Sequence, residues 1–235
     1  MTRDDVLTHP KALHGRHRRD QLIALRSLFT WAKRNGLIFR NPTSRIKVGQ
    51  NEYSVLQPLV PDQVNRAVAA ATTPATRLIL ALAAVHAARV AQIGTLMLDD
   101  VDIGNRRLTI AGRVRPLDEL TLKLLLDWLD HRHTRWPNTA NLHLLINNQT
   151  ANRTTRVSNH CISAAMRGQT ATPERLRVDR QLEEAIVQGP DPLHLAEVFG
   201  LHEKTAMRYA DSARRLLETS AESLNAVKSS VDDQR

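Results

Sequence analysis

Hydrophobic residues recur at helical spacing through most of the chain, and strand-like runs are confined to a few short stretches. Residues 20–34 carry one apolar stripe, which consists of Leu22, Leu25, Leu28, Phe29 and Ala32. Gly36 follows as a residue that typically ends a helix, so we expect an amphipathic helix there. Proline followed by helical periodicity predicts two more helices, one from Pro61 to about residue 71 and a strongly apolar one that opens at Pro74.

The pattern changes at residues 99–118, "DDVDIGNRRLTIAGRVRPLD", where short runs rich in Val, Ile and Leu flank "GN" and "AG". Such runs predict two or three short antiparallel strands, and "LHLLIN" at 142–147 predicts another strand. Helices are expected at about 118–134, 157–167, 173–188, 191–199 and 203–218. The predicted fold class is therefore mainly α with a small antiparallel β-sheet.

The segment 41–63 contains three prolines and shows no sustained period, which is typical of an interdomain linker with a boundary near residue 55. We expect a partial helical domain at 1–50, a linker at 51–60 and a larger domain at 61–218. The polar residues 219–235 are expected to be a frayed tail, or an extra helix used in contacts between subunits.

Composition points to a polyanionic partner. The formal charge is +9 and the pI is near 10.5, with basic residues spread along amphipathic segments apart from the run "HGRHRRD" at 14–20. Nucleic acid, as double-stranded DNA or another form, is the expected partner of such a surface. Cys161 is the single cysteine, which excludes an internal disulfide and fits a reducing cytoplasm, and the longest apolar run is interrupted by charged and polar residues, so no membrane span is expected.

Three residues stand out as candidates for chemistry. Arg89 lies inside the most apolar run, where a buried guanidinium would need an anionic partner, either a ligand or a structural ion pair with Asp99 or Asp100. Arg177 shares a helix face with Glu174 and Gln181, so it is either functional or one half of a surface ion pair. Tyr209 falls at the edge of a stripe of small residues and is either a nucleophile or a half-buried packing residue.

The three residues together fit one reaction. A tyrosine hydroxyl can attack a phosphodiester when two arginines hold the nonbridging oxygens and stabilise the added charge of the transition state. Arginine suits this role because its planar fork meets two phosphate oxygens and stays charged. The reaction needs no metal and no other cofactor.

Four segments, in this order and spacing, resemble the tyrosine recombinase (phage integrase) family. They are "LFTWAKRNGLIFRNPTSRI", "AVHAARVAQIGTLMLDDVDIGNRRLTI", "TPERLRVDRQLEEAI" and "DPLHLAEVFGLHEKTAMRYA". The resemblance implies a catalytic domain preceded by a truncated helical core-binding domain, with catalytic Arg89 and Arg177 and with Tyr209 as nucleophile. It further implies a 3′-phosphotyrosyl intermediate, two recombining DNA sites and four protomers.

The same resemblance locates the departures from the family pattern. Glu174 stands where the family has an acid/base histidine or lysine, and the hairpin "IAGRVRPL" offers Arg113 in place of the lysine that protonates the leaving oxygen. His202 lies one residue beyond the usual histidine position, which holds Leu201, and Gln92 replaces an acidic residue and is expected to orient Arg89. We expect six further basic residues to contact DNA: Arg208, Lys204, Arg180, Arg18, Arg19 and Arg26.

Alternative interpretations come from other classes. One is a recombinase descendant without chemistry. Another is a helix-turn-helix DNA-binding protein, with Gly200 in the turn and a second helix from about Glu203 that exposes Arg208 and Asp211. A metal-dependent nuclease is disfavoured, because strand alternation would send Asp99, Asp100 and Asp102 to opposite faces and no histidine set has ligand spacing.

Overall fold

The computed structural model describes residues 15–44, 46, 55–164 and 166–232, with side chains described as far as Glu222. Contacts divide the chain into two compact units, Met1–Ser54 and Val55–Arg235. Tyr53, the first residue of the basic run at 14–20 and the first part of the expected linker at 51–54 lie outside the described residues.

The smaller unit is built on helix α1, Gly15–Arg34. Leu22, Phe29 and Ile46 form its buried cluster, and Gly36 adopts a φ of 71° just after the helix, as expected of a residue that ends it. Leu28 is 54% exposed, so the predicted stripe is wrong at this position. The helix buries Leu22 and Phe29 on one line and leaves Leu28 beside that line.

The larger unit is mainly helical with a small antiparallel sheet, which confirms the predicted fold class. In chain order its elements are α2 (Pro61–Ala70), α3 (Pro74–Ala84), α4 (Val90–Thr95), a 3₁₀ turn (Leu98–Asp100), β1 (Val101–Asp102), β2 (Arg107–Ile110), β3 (Arg113–Pro116), α5 (Glu119–Arg135), α6 (Asn159–Ala164), α7 (Pro173–Val187), α8 (Pro192–Phe199) and α9 (Glu203–Asp232).

Local sequence explains where these helices begin. Pro61 and Pro74 occupy the first helical position, where a missing backbone N–H costs nothing, as the sequence predicted. Side-chain oxygens of Thr73, Asp118 and Thr172 accept hydrogen bonds from backbone N–H groups in the first turns of α3, α5 and α7. These caps satisfy donors that a helix end leaves without a partner.

The sheet has the order β1-β2-β3, with both pairs antiparallel. Ile110 pairs with Arg113, so Ala111 and Gly112 form a two-residue turn with φ values of 51° and 76°. Positive φ at both central residues is the geometry that matches the twist of a hairpin. The turn fixes the direction in which β3 presents its side chains.

The predicted strand at 142–147 is wrong. Among the described residues this segment makes only an isolated bridge, between Met97 and His143. Leu144, Leu145 and Ile146 are nevertheless buried, and the Leu144 carbonyl accepts a 2.9 Å hydrogen bond from the indole N–H of Trp128. The apolar run is a core segment anchored by the Trp128 side chain and by two backbone hydrogen bonds to residues 96 and 98, rather than a strand of the sheet.

Helix packing places the last two helices against α7. Helix α3 packs against α5 and α7, and α9 packs against both α7 and α8. Helix α9 continues to Asp232, so the polar residues that were expected to form a separate tail from 219 extend this helix instead. Within the described ranges, no helix is both long and apolar enough to cross a bilayer.

The second half of the expected linker packs against the larger unit. The Leu56 N–H donates to the Ser212 hydroxyl at 3.2 Å, and the Leu59 N–H donates to a carboxylate oxygen of Asp179 at 2.6 Å. Leu59 is buried. Residues 56–59 are thus tied to α7 and α9, the two helices that carry Arg177 and Tyr209.

Candidate functional site

Helix α7 presents Arg177 in a buried position and surrounds its guanidinium with acceptors. Nε and Nη2 donate to the two carboxylate oxygens of Glu174, at 3.0 and 2.5 Å, and Nη1 donates to Gln181 Oε1 at 2.8 Å. Arg177 is 8% exposed, whereas the Glu174 side chain is 59% exposed. The expected ion pair exists, but its arginine lies inside the fold rather than on the surface.

Tyr209 lies on α9 with its ring inside a second buried cluster that contains Leu182, Leu195 and Leu201. Ala206, Ala210 and Ala213 line the same side of α9, and such small residues let the helix approach α7 closely. Tyr209 is only 1% exposed, so the prediction of a half-buried edge position is wrong. Two helices and the turn before α9 cover it, which the helix stripe alone did not indicate.

The Arg177 guanidinium lies close enough to the Tyr209 hydroxyl for each group to act on the other's pKa. The Arg208 guanidinium lies 5.7 Å from the centre of the Tyr209 ring. Burial raises the pKa of the Tyr209 hydroxyl, and Arg177 and Arg208 oppose that rise. Burial also acts to lower the pKa of Arg177, but Glu174 and Tyr209 outweigh it, so that pKa is raised.

Arg89 is exposed, which overturns the expectation that its guanidinium sits in the apolar core. It lies at the start of α4, just after a turn in which the Ala88 N–H bonds the Leu82 carbonyl and Ala87 adopts a φ of 51°. This turn ends α3 and carries Arg89 out of the core. Over the described ranges, neither Asp99 nor Asp100 forms an ion pair with Arg89.

Gln92 orients Arg89 through its backbone. The Gln92 side-chain oxygen accepts a 2.8 Å hydrogen bond from the Arg89 N–H, at the first turn of α4. Asp100 plays a separate capping role, because its carboxylate accepts from the Met97 N–H at 2.8 Å. The Arg89 side chain therefore projects to solvent from a fixed backbone, and no hydrogen bond among the described residues joins it to Arg177 or Tyr209.

The hairpin arginines dock onto the end of α8. Arg113 donates to the Glu197 carbonyl, and a Cβ placed on Gly200 would come within 3.0 Å of Arg113 Nε. Gly200 has a φ of 63°, so both its conformation and the close approach of Arg113 favour glycine. Cations at a helix C-terminus interact favourably with its dipole. Arg113 thus has a structural contact in addition to any role in proton transfer.

Arg115 was missed by sequence reasoning. Its guanidinium donates to the His86 carbonyl at 2.7 Å and to the Val198 carbonyl at 3.2 Å, and it lies 5.9 Å from the centre of the Phe199 ring. One pattern in the sequence could have indicated it. Side chains alternate along "RVR" in β3, which puts Arg115 on the same side of the strand as Arg113. Their acceptors come from distant parts of the chain, so only the fold reveals them.

His202 serves as a helix cap. Its Nδ1 accepts from the Lys204 N–H at 3.3 Å, and its carbonyl accepts from the Thr205 and Ala206 N–H groups. His202 and Lys204 are exposed, and Leu201 is buried. These contacts fix the start of α9, two turns before Tyr209.

The remaining basic candidates lie at the surface or in ion pairs. Arg180 bonds Glu184 at 2.8 Å and lies 6.0 Å from the centre of the Phe199 ring, which Arg115 of the hairpin also reaches. Arg18 and Arg26 are exposed on α1, and Arg19 is half-buried there. The described residues include no group of three or more His, Cys, Asp and Glu side chains that could hold a metal ion.

His86 and Asp118 form a further polar pair beneath the hairpin. His86 Nε2 lies 3.4 Å from an Asp118 carboxylate oxygen, and His86 is buried. Burial lowers the pKa of His86, which Asp118 opposes and which Arg115 and Arg180 reinforce. Burial and the neighbouring arginines thus favour the neutral imidazole, and Asp118 favours the protonated one.

Comparison with known proteins bears on the fold of the chain. No family model matches the chain. The tyrosine recombinase XerC of Mycobacterium bovis and of Mycobacterium tuberculosis is 31% identical over 99 residues, which cover 38% of this chain. The match spans about a third of the length of these curated relatives, 33%.

Solved structures extend the likeness to most of the chain. XerA recombinase is 21% identical, with a TM-score of 0.58 over 94% of this chain and 83% of that one. The chain has the tyrosine recombinase fold. XerH site-specific recombinase superposes with a TM-score of 0.63 at 16% identity, covering 93% of this chain and 70% of that one. Lambda integrase superposes with a TM-score of 0.58 at 12% identity, covering 87% and 81%.

Proposed function

We propose that the protein is a site-specific DNA recombinase that cleaves and rejoins strands through a covalent bond between Tyr209 and DNA. The observation that carries the proposal is that Tyr209 and Arg177 are both buried at the α7–α9 interface of a tyrosine recombinase fold, close enough to act on each other's pKa. A hydroxyl next to a guanidinium is placed to share one phosphate with it. Burial of a tyrosine for packing alone would not require a charged partner.

In the proposed reaction, the Tyr209 oxygen attacks the scissile phosphorus and the 5′ oxygen of the next nucleotide leaves. The product is a 3′-phosphotyrosyl bond and a free 5′ hydroxyl, and attack by a 5′ hydroxyl from a partner strand reverses the step. Arg177 and Arg89 hold the nonbridging oxygens. Arg89 suits this role because it is exposed and forms no ion pair with any described residue.

The proton carriers are the second part of the proposal. Glu174 contacts Arg177 and raises the pKa of Tyr209 through its charge, after the larger effect of burial, so it is placed to influence the attacking group. Arg113 approaches Gly200, and His202 caps the start of the Tyr209 helix. We assign proton transfer to the leaving oxygen to His202, whose side chain must leave its cap contact for that step, because an arginine stays protonated.

DNA is the proposed substrate on electrostatic grounds. The net charge of +9 favours a polyanion, and Arg113, Arg115 and Arg180 lie close enough to influence one another on one side of the larger unit. Arg208, Lys204 and Arg180 are the proposed backbone contacts there, and Arg18, Arg19 and Arg26 those of α1. The XerH and lambda integrase structures are complexes with the difH substrate and with a COC′ core site, respectively, which supports the same partner here.

The closed site requires a change on binding. Tyr209 is 1% exposed and Arg177 is 8% exposed, so a phosphate cannot reach either group as they stand. We propose that DNA binding displaces Glu174 from Arg177, which opens a path for the phosphate to both groups. Assembly into an oligomer on two DNA sites is part of the same proposal.

Covalent trapping tests this function. The protein is incubated with nicked DNA substrates from its own genome, denatured, and examined for a protein–DNA adduct in wild type, Tyr209→Phe and Arg177→Ala. Tyr53→Phe is the matched control, because Tyr53 is the other tyrosine of the chain. We expect an adduct in wild type and Tyr53→Phe and its loss in the other two variants.

Binding without chemistry is the competing outcome. Helices α8 and α9 and the turn at Gly200 also form a helix-turn-helix arrangement, which a DNA-binding regulator would use. Salt-sensitive binding of the same DNAs with no adduct in any variant would replace the recombinase proposal by this one. An adduct that survives in Tyr209→Phe would assign the nucleophile to another residue.

A further inference from the structure

One side chain bridges the two turns that present the proposed catalytic residues. Arg115, on strand β3, donates from Nη1 to the His86 carbonyl at 2.7 Å and from Nη2 to the Val198 carbonyl at 3.2 Å. His86 belongs to the turn that ends α3 and carries Arg89. Val198 belongs to the last turn of α8, which leads through Gly200 into the helix of Tyr209.

The Arg115 guanidinium also lies beside an aromatic ring. The Arg115 guanidinium lies 5.9 Å from the centre of the Phe199 ring, and the Arg180 guanidinium lies 6.0 Å from the same ring. A planar guanidinium stacks on an aromatic face and keeps two Nη groups aimed in fixed directions. The side chain is half-buried and therefore has little freedom to leave this arrangement.

The electrostatic surroundings of Arg115 are unfavourable, so its charge does not serve only to stabilise the fold. Among the described residues no carboxylate pairs with Arg115, and burial followed by repulsion from Arg113 and Arg180 lowers its pKa. A desolvated cation beside two other cations is costly, and an apolar residue of similar size would pack on Phe199 without that cost. The two carbonyl hydrogen bonds are what an arginine adds at this position.

We propose that Arg115 is a positioning residue for the strand-cleavage reaction. It holds the turn before Arg89 and the turn before the Tyr209 helix at a fixed separation, so that both catalytic groups meet one phosphate. The proposal rests on the recombinase function proposed above. Lysine cannot reproduce the role, because its single ammonium cannot donate to both carbonyls in the fixed directions of a planar guanidinium.

The kinetic experiment compares Arg115→Lys and Arg115→Met with wild type. The single-turnover rate of adduct formation on a nicked DNA substrate is measured at saturating protein, together with the DNA dissociation constant and the thermal midpoint. We expect the rate to fall by about a hundredfold in both variants, since small misplacement of reacting groups has effects of that order. The DNA dissociation constant is expected to stay within about threefold of the wild-type value, because Arg115 donates its hydrogen bonds to protein carbonyls rather than to DNA.

Arg106→Lys is the matched control, in the turn between β1 and β2 of the same sheet. Arg106 makes a 3.0 Å ion pair with Glu119, and both side chains are exposed. We expect wild-type rate, affinity and midpoint in this variant. A wild-type rate in Arg115→Met, or a loss of rate explained entirely by lost DNA affinity, would overturn the positioning role.

Hydrogen exchange separates this proposal from the recombinase function. In the free protein we expect faster amide exchange in Arg115→Lys at both 86–89 and 198–203, and no change there in Arg106→Lys. If wild-type protein forms no adduct while both turns loosen together, the recombinase function fails and the physical link through Arg115 stands. If wild type forms the adduct but only one turn loosens, the link fails and the function stands.

Discussion

Arg177 donates to both carboxylate oxygens of Glu174, from Nε at 3.0 Å and from Nη2 at 2.5 Å. A phosphate would use the same edge of the guanidinium, because two oxygens of a phosphate match that fork as two carboxylate oxygens do. In the free protein Glu174 therefore fills the position that the proposed substrate must take. DNA has to compete with a carboxylate of the same helix.

Replacement of Glu174 by glutamine should relieve this competition. The Glu174→Gln substitution keeps the size of the side chain but removes its charge, so phosphate gains access to Arg177. We expect the single-turnover rate of adduct formation to rise by about tenfold, which corresponds to about 1.4 kcal/mol in the barrier. The rate on nicked DNA at saturating protein measures this.

The control for Glu174→Gln is Asp211→Asn. Asp211 pairs with Arg214 at 2.9 Å with the same i,i+3 spacing, on an exposed part of α9. This control removes one negative charge without touching Arg177, so a similar rise in rate would reflect net charge alone. A fall in rate in Glu174→Gln would mean that the carboxylate takes part in proton transfer.

Tyr209 should ionise later than an ordinary tyrosine. Burial raises its pKa above the usual value of about 10, while Arg177 and Arg208 limit the rise. The folded protein thus keeps the proton at a pH where the unfolded chain loses it, so this group stabilises the fold below about pH 10 and that stability is lost as pH rises through the folded pKa.

Phenolate absorbance in the variant Tyr53→Phe measures this ionisation, since Tyr209 is then the one tyrosine of the chain. We expect a transition above about pH 10 in the folded protein and at about pH 10 in denaturant. In Arg177→Met the folded transition should move higher still, because a cation that favours the phenolate is gone. Ionisation of the folded protein below about pH 10 would contradict the buried geometry.

Ala87 should gain stability on replacement by glycine. Its φ of 51° places a Cβ in the left-handed region, in the turn that ends α3 and precedes Arg89. Glycine removes that strain, and we expect the free energy of unfolding to rise by about 1 kcal/mol in urea denaturation. Ala81→Gly, inside the same helix, should lower it by about 1 kcal/mol or more. Destabilisation by Ala87→Gly would show that the methyl group packs better than the backbone suggests.

His86 should make the fold sensitive to mild acid. Burial lowers its pKa, against the attraction of Asp118 and with the repulsion of Arg115 and Arg180. The unfolded chain binds this proton first, so stability is full above about pH 6.5 and is lost as pH falls through the folded pKa. In His86→Gln the decline of unfolding free energy below about pH 6.5 should be shallower than in wild type and in the exposed control His133→Gln. Equal slopes in all three proteins would exclude His86 as the cause.

Local signals predicted the ends of elements well. Pro61 and Pro74 start helices because their fixed φ and missing N–H act on their own turn. The apolar run at 142–147 misled because β-propensity reports burial as much as pairing, and this run is buried against Trp128 with an isolated bridge to Met97. Its burial was predictable, and its failure to form a strand was not.

In the candidate site too, sequence predicted the features that depend on neighbouring residues and missed those that depend on tertiary packing. The i,i+3 pair of Glu174 and Arg177 follows from helix geometry, so sequence predicted it. The burial of Tyr209 depends on how α9 packs against α7, and the exposure of Arg89 depends on the turn after α3. Helix periodicity in the sequence reports neither of them. Arg115 was missed because its acceptors belong to His86 and Val198, which only the tertiary fold brings together.

Helix α9 runs from Glu203 to Asp232 without an internal glycine or proline. At about 1.5 Å per residue, its far end stands roughly 35 Å from Tyr209, which lies in its second turn. Such a rod behaves as a lever arm with Tyr209 near its pivot. A tilt of about 10° at the pivot moves the far end through roughly 6 Å, so a small change of angle at Tyr209 becomes a large displacement at the end of the helix.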